Sequence, residues 1–158
     1  MSMNRLLCSA VVAALLASAS VPATQAAEPT AKEFMKARHD HYHDLGEAFK
    51  VVRDQSKAGK PDMAAIKTAA KTVNEAAATQ DKWFPAGTGP ETGKTQALPE
   101  IWSKPEEFKA AKKMFSDSAP KLTAAANAED FAGVKAAFGD VGKSCKNCHE
   151  TFRAKEHD

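Results

Sequence analysis

Apolar residues recur at intervals of three and four along most of this chain, and no segment keeps the strict alternation of a strand. The periodicity predicts four helices. The first begins after Pro29 and runs to about Lys57, with Phe34, Met35, Tyr42, Leu45 and Phe49 near one face. Gly59 stops it, and Pro61 suits the first turn of a second helix reaching to about Asp81, striped by Met63, Ile66, Ala70, Val73 and Ala77. A third, from about Pro105 to Ala126, turns Phe108, Phe115 and Leu122 inward. In "NAED", Asn127 is suited to cap, and Glu129 and Asp130 suit the positive end of a fourth helix. That helix runs to about Lys155 and gathers Val134, Phe138, Val141, Cys145, Cys148 and Phe152 on one side. Amphipathic helices joined by short turns at two of three joints predict an all-α fold, an antiparallel four-helix bundle.

The remaining joint, "WFPAGTGPETGKTQALPEIWSKP", contains three glycines and four prolines. Connections this long are functional or disordered. Trp83, Phe84, Ile101 and Trp102 would be wasted in a disordered linker, so an ordered loop covering something apolar is expected.

Composition agrees with helix: Ala and Lys are abundant, Val and Ile few. A length of 158 residues suits one domain. The formal charge of +2 leaves no polyanion footprint, which argues against a nucleic-acid partner. The N-terminus changes the picture more. "MSMNR", the apolar run "LLCSAVVAALLASAS" and the small residues of "VPATQAAEPT" follow the three-part pattern of a secretory signal. Residues 1–26 are read as a removed signal peptide, with cleavage near Ala26 or Ala27, and 27–158 as the domain. The apolar run is too short to span a bilayer comfortably, so an exported, periplasmic protein without a membrane span is expected. A lipoprotein reading at Cys8 is disfavoured, because only Leu6 and Leu7 form the apolar stretch before it.

Removal of the signal leaves two cysteines, Cys145 and Cys148. A disulfide between residues three apart closes a very small loop and constrains the unfolded chain little. With His149 the pair forms "CKNCH", the C-x-x-C-H attachment signature of c-type haem. Each thiol adds across one haem vinyl group to form a thioether. On a helix, Cys145 and His149 are one turn apart, so the imidazole reaches the iron from the side that holds the porphyrin edge. A thioredoxin-like pair would need a βαβ context, and a zinc site would need further ligands close by. Export fits too, since haem c is attached outside the cytoplasm.

"FGDVGKSCKNCHETFR" at the end, "ALPEIWSKPEEFK" in the long loop and "ARHDHYHDLG" in the first helix together resemble the cytochrome c′ family, the class II c-type cytochromes that include the cytochrome c-556 branch. The resemblance covers nearly the whole mature chain. It implies one covalently attached haem c per chain, held between the helices near one end of the bundle, and a homodimer formed through the first two helices. It maps the proximal iron ligand onto His149 and a neighbouring basic residue onto Arg153. It assigns Arg38 to a haem propionate, with His39 and Gln96 on the same side.

The family divides on the other face of the iron. One branch carries a methionine four residues after the first-helix arginine and is a six-coordinate, low-spin electron carrier. The other carries a non-ligating apolar residue and binds NO, and sometimes CO, at five-coordinate iron. Here the position is Tyr42. Its ring suits a pocket-filling role, while a phenolate ligand would need its pKa of about 10 lowered substantially. At about 100° per residue, His41 and Tyr42 flank the Arg38 direction, and His39 and His43 turn further away. The leading expectation is gas binding and single-electron exchange at five-coordinate iron. The alternatives are an electron carrier with His41 or Met35 as sixth ligand, and a metal-binding protein that uses the histidine cluster. No nucleophile or acid–base pair suggests an enzyme, and the redox partner is unidentified.

Overall fold

A computed structural model describes residues 28–155, so the expected signal peptide lies outside the described residues. Helix α1 spans Ala31–Lys57, α2 Met63–Thr79, α3 Glu100–Ser103, α4 Pro105–Asn127 and α5 Phe131–Phe152; a 3₁₀ turn, Gln80–Trp83, follows α2. The four long helices, α1, α2, α4 and α5, form the bundle. Among the described residues there is no strand, only an isolated antiparallel bridge between Ala97 and Arg153.

Each long helix starts on a local signal. Thr30 and Glu33 close a capping box at α1. At α2 the cap is Asp62, whose carboxylate accepts from the Ala64 and Ala65 amides, so Pro61 stands just outside the helix rather than in its first turn. Pro105 is the first residue of α4, where its missing N–H costs nothing. Asn127 ends α4, and Asp130 caps α5 through the Gly133 amide. Other expected boundaries move as well. Helix α2 gives way at Gln80 to the tight turn that carries Trp83 inward. The loop contains α3, which the pattern did not announce. Helix α5 stops at Phe152, because Arg153 adopts extended backbone and pairs with Ala97.

Val52, Ile66, Val73, Leu122, Val134 and Val141 are fully buried and form the centre of the core. Each contributes on the order of 1.5–3 kcal/mol by leaving water. Helix α2 buries mostly alanines, Ala69, Ala70, Ala76 and Ala77, which let α4 approach closely. Thr123 then donates to the Ala70 carbonyl at 3.1 Å and Ser116 to that of Ala77 at 3.3 Å, across the two helices. Helix α2 packs along α1 and α4, and α4 along α5, whereas α1 and α5 meet only sparingly. One end of that thin seam is closed by Phe49 stacked on Phe138 at 4.4 Å, with Gly142 beside the Phe49 ring.

Candidate functional site

Tyr42 of α1 and the two cysteines of α5 meet at the other end of the seam. Cys145 packs against the main core, while Cys148 packs against a second apolar cluster of Ile101, Phe108, Ala111 and Phe152; Phe84 touches both clusters. Both thiols are free and half-buried. Burial raises the Cys145 pKa, against a hydrogen bond from Ser144 that lowers it. Burial and then Cys145 push Cys148 up to about 11, against the pull of Lys112. Two thiols held neutral are poor ligands for a bare metal ion, which binds the thiolate. His149 stands at the surface beside Arg153, Ala154 and Lys155, which line a pocket of about 230 Å³. Although accessible, its ring is crowded enough that desolvation lowers its pKa, and Arg153 lowers it further, which favours the neutral, ligating imidazole.

Among the described residues no three His, Cys, Asp or Glu side chains converge as a metal cluster would require. A small ion bound by all three residues of the motif is therefore a poor fit. A broad planar group that the two thiols reach at its rim and the imidazole at its central metal fits the donor set, so haem c suits these residues.

The α1 side is aromatic. Tyr42 meets Trp83 edge-on at 5.0 Å and Phe84 obliquely at 6.2 Å. Its phenol is pushed well above the ordinary tyrosine range, first by burial and then by Cys148, with Arg38 opposing. The hydroxyl stays protonated, which leaves a phenolate ligand without support. The ring of His41 stacks on Trp83 at 4.7 Å. The methyl carbon of Met35 lies 3.4 Å from where a side chain would begin at Gly93, so Met35 packs on the loop. His39 does not join this group: its side chain is 81% exposed and its Nδ1 faces Asp40.

Arg38 is buried, and it secures the long loop. Its Nη1 donates to the Trp83 carbonyl and to the Thr88 hydroxyl at 3.0 Å; its Nη2 donates to the Thr88 carbonyl at 2.8 Å and to the Thr95 hydroxyl at 3.1 Å. The guanidinium also lies 4.9 Å from the centre of the Phe84 ring. The same loop is stitched to the end of α5. Leu98 donates to the Phe152 carbonyl, Ala154 donates to that of Gln96, and Arg153 Nε donates to Gln96 Oε1 at 2.8 Å. Trp102 Nε1 donates to the Phe84 and Pro85 carbonyls. Arg38, Gln96 and Arg153 are thus brought onto one continuous loop framework beside His149. Thr88 and Thr95 complete it and were not foreseen; a threonine in a Gly- and Pro-rich stretch carries no mark of burial.

Comparison with known proteins agrees with this geometry. The family described as Cytochrome C' matches residues 33–153. A cytochrome c' of Alcaligenes xylosoxydans xylosoxydans is 49% identical over 47% of this chain and 57% of its own length. The chain thus spans little more than half the length of that relative. A cytochrome c' of Rhodospirillum rubrum is 32% identical over 91% of this chain and 96% of its own length. Among solved structures, a nitric oxide complex of a variant cytochrome c prime from Alcaligenes xylosoxidans superposes with TM-score 0.68 at 35% identity, covering 80% of this chain and 97% of that one. A carbon monoxide complex of another variant gives 0.71 at 35% identity, covering 80% and 98%. A cytochrome c' with a ligand-controlled dimer dissociation gives 0.76 at 27% identity, covering 82% and 100%. With a four-helix bundle, a C-x-x-C-H motif on its last helix and a match running from the first helix to Arg153, the chain belongs to the cytochrome c′ family.

Proposed function

We propose that this protein is an exported haem c protein that binds small gases such as NO, with CO as a second ligand, at a five-coordinate iron and exchanges single electrons. One haem per chain would be held by thioethers to Cys145 and Cys148, with His149 as a ligand to its iron. The group supplies the iron and its Fe(II)/Fe(III) couple. The chain supplies the rest. Cys145 and Cys148 would hold the group at the α1–α5 seam, and the aromatic wall of Tyr42, Trp83 and Phe84 would keep water from it there. Gln96 and Arg153 lie on the loop framework from which propionates would be met, and Arg38, its Nη atoms already given to the loop, would hold that framework in place beneath them. Arg153 also favours the neutral imidazole of His149.

The observation that carries the open-face reading is the engagement of both alternative ligands elsewhere: His41 on Trp83 and Met35 on Gly93. Tyr42, the residue that faces the thiols, holds its proton. No turnover is proposed. The nitric oxide and carbon monoxide complexes of relatives support the choice of ligand. A relative whose dimer dissociates under ligand control supports a homodimer, proposed here through α1 and α2. No described helix is long and apolar enough to cross a membrane, which accords with release into the periplasm. The test is the optical spectrum of the dithionite-reduced protein, made in a host that attaches haem c. A broad high-spin spectrum that changes on adding NO is expected; sharp low-spin bands in both oxidation states would overturn the five-coordinate assignment.

A further inference from the structure

Helix α1 repeats a His-Asp pair at a spacing of four: His39-Asp40 and His43-Asp44. Side chains at i and i+4 share one helix face, with Cβ atoms about 5–6 Å apart. This face turns away from the bundle, since the His39 and His43 side chains are 81% and 66% exposed. It lies about 100° round the helix from the Arg38–Tyr42 face, so neither histidine serves the site in the seam. Each ring has the same neighbour. His39 Nδ1 is 3.5 Å from Asp40 Oδ1, and His43 Nδ1 is 3.7 Å from Asp44 Oδ1.

Each carboxylate lies on the Nδ1 side of its ring, at the edge of hydrogen-bond distance for His39 and just beyond it for His43, so a small turn of either side chain lets Nδ1–H donate to it and leaves Nε2 to ligate. That is the outer-shell arrangement of histidines that bind metal ions. Here it occurs twice, at the i, i+4 spacing by which one helix presents two imidazoles to a single ion. Lys36 pairs with Asp40 at 2.5 Å and offsets one of the two aspartates, and Glu47, exposed one turn beyond His43, adds a further acid. The flank therefore remains net negative.

We propose that His39 and His43 form a surface site for one borderline-soft divalent cation, bound through the two Nε2 atoms with water at the remaining positions. Among the described residues no third ligating side chain converges there, so the site is open and exchangeable rather than structural. Imidazole donors place Cu²⁺ above Zn²⁺ in affinity and exclude Mg²⁺ and Ca²⁺ as occupants.

The experiment is a calorimetric titration of the haem-loaded, tag-free protein with Zn²⁺. One ion per chain is expected, with binding lost in the His39→Gln/His43→Gln double variant. The Asp40→Asn/Asp44→Asn double variant should bind about tenfold more weakly. His41→Gln and His157→Gln should bind as the unmodified protein does. All these positions but His157 lie on an exposed or aromatic-stacked face of α1, and an unchanged Soret band and helical circular dichroism verify that each variant is folded. Undiminished binding in the His39/His43 double variant, loss of binding in His41→Gln or His157→Gln, or half an ion per chain with two chains joined would each overturn the site.

Discussion

At the scale of single residues, two side chains of α1 four positions apart divide the work. Arg38 faces the loop and Tyr42 faces the thiols. Arg38 is a buried cation whose partners are carbonyls and hydroxyls, so its removal leaves several acceptors facing a hole. Arg38→Leu is expected to destabilise the fold by about 2–3 kcal/mol. It should also open residues 84–99 to limited proteolysis, and protection equal to that of the unmodified protein would remove the anchoring role. Arg38→Lys should rescue only part of this, because one ammonium cannot span Thr88 and Thr95 as the fork does. Tyr42 supplies the converse test. A thioether at that position can bind iron where a protonated phenol does not. Tyr42→Met is therefore expected to convert a high-spin reduced spectrum to a low-spin one and to slow NO binding. A spectrum still high-spin would mean that position 42 does not face the iron.

At the scale of elements, the joint between α4 and α5 shows where local pattern governs and where it fails. The Glu129 amide donates to the Ala126 carbonyl and the Asp130 amide to that of Ala125, the doubled bonding that ends a helix through a left-handed residue. The left-handed residue is Glu129, at φ 55°, where glycine is the usual occupant. Its ion pair with Lys67 at 2.8 Å is exposed and offsets little. Glu129→Gly should stabilise the protein by about 0.5–1 kcal/mol, read as a rise of about 3 °C in Tm. A fall in Tm would mean that the Lys67 contact outweighs the backbone strain. The four long helices were legible because their apolar stripes and breakers are local. "NAED" was legible as a boundary, but whether Asn127 or Asp130 caps depends on which carbonyls the turn satisfies, and that follows from the left-handed residue between them. The motif Cys145-Cys148-His149 is local in the same way, three residues within five positions of one helix. The exposure of His39, the stacking of His41 on Trp83 and the place of Met35 against Gly93 were not, because each is decided by the long loop. The path of that loop is set by contacts made dozens of residues away, such as Arg38 to Thr95 and Gln96 to Arg153.

At the scale of the whole molecule, the bundle is unequal around its circumference. Helices α1, α2, α4 and α5 are continuously packed in that order, and the ring closes weakly between α5 and α1. The antiparallel run of the two helices places Phe49 against Phe138 at the closed end and Tyr42 against the cysteines at the other. Besides their apolar packing, α2 and α4 are joined by hydrogen bonds from Thr123 to the Ala70 carbonyl and from Ser116 to that of Ala77, and among the described residues α1 and α5 have no such tie near Tyr42. The seam near Tyr42 is therefore the part of the fold that gains most from a large apolar group tied to α5. In a haem-free Cys145→Ala/Cys148→Ala variant, amides of α2 and α4 should keep exchange protection near the global limit. Those of residues 38–45 and 145–152 should exchange much faster by local opening. In the haem-loaded protein all four helices should exchange together. If the haem-free variant instead protected the four helices equally, the seam would be stable on protein contacts alone. The haem would then be a passenger of the bundle rather than the element that closes it.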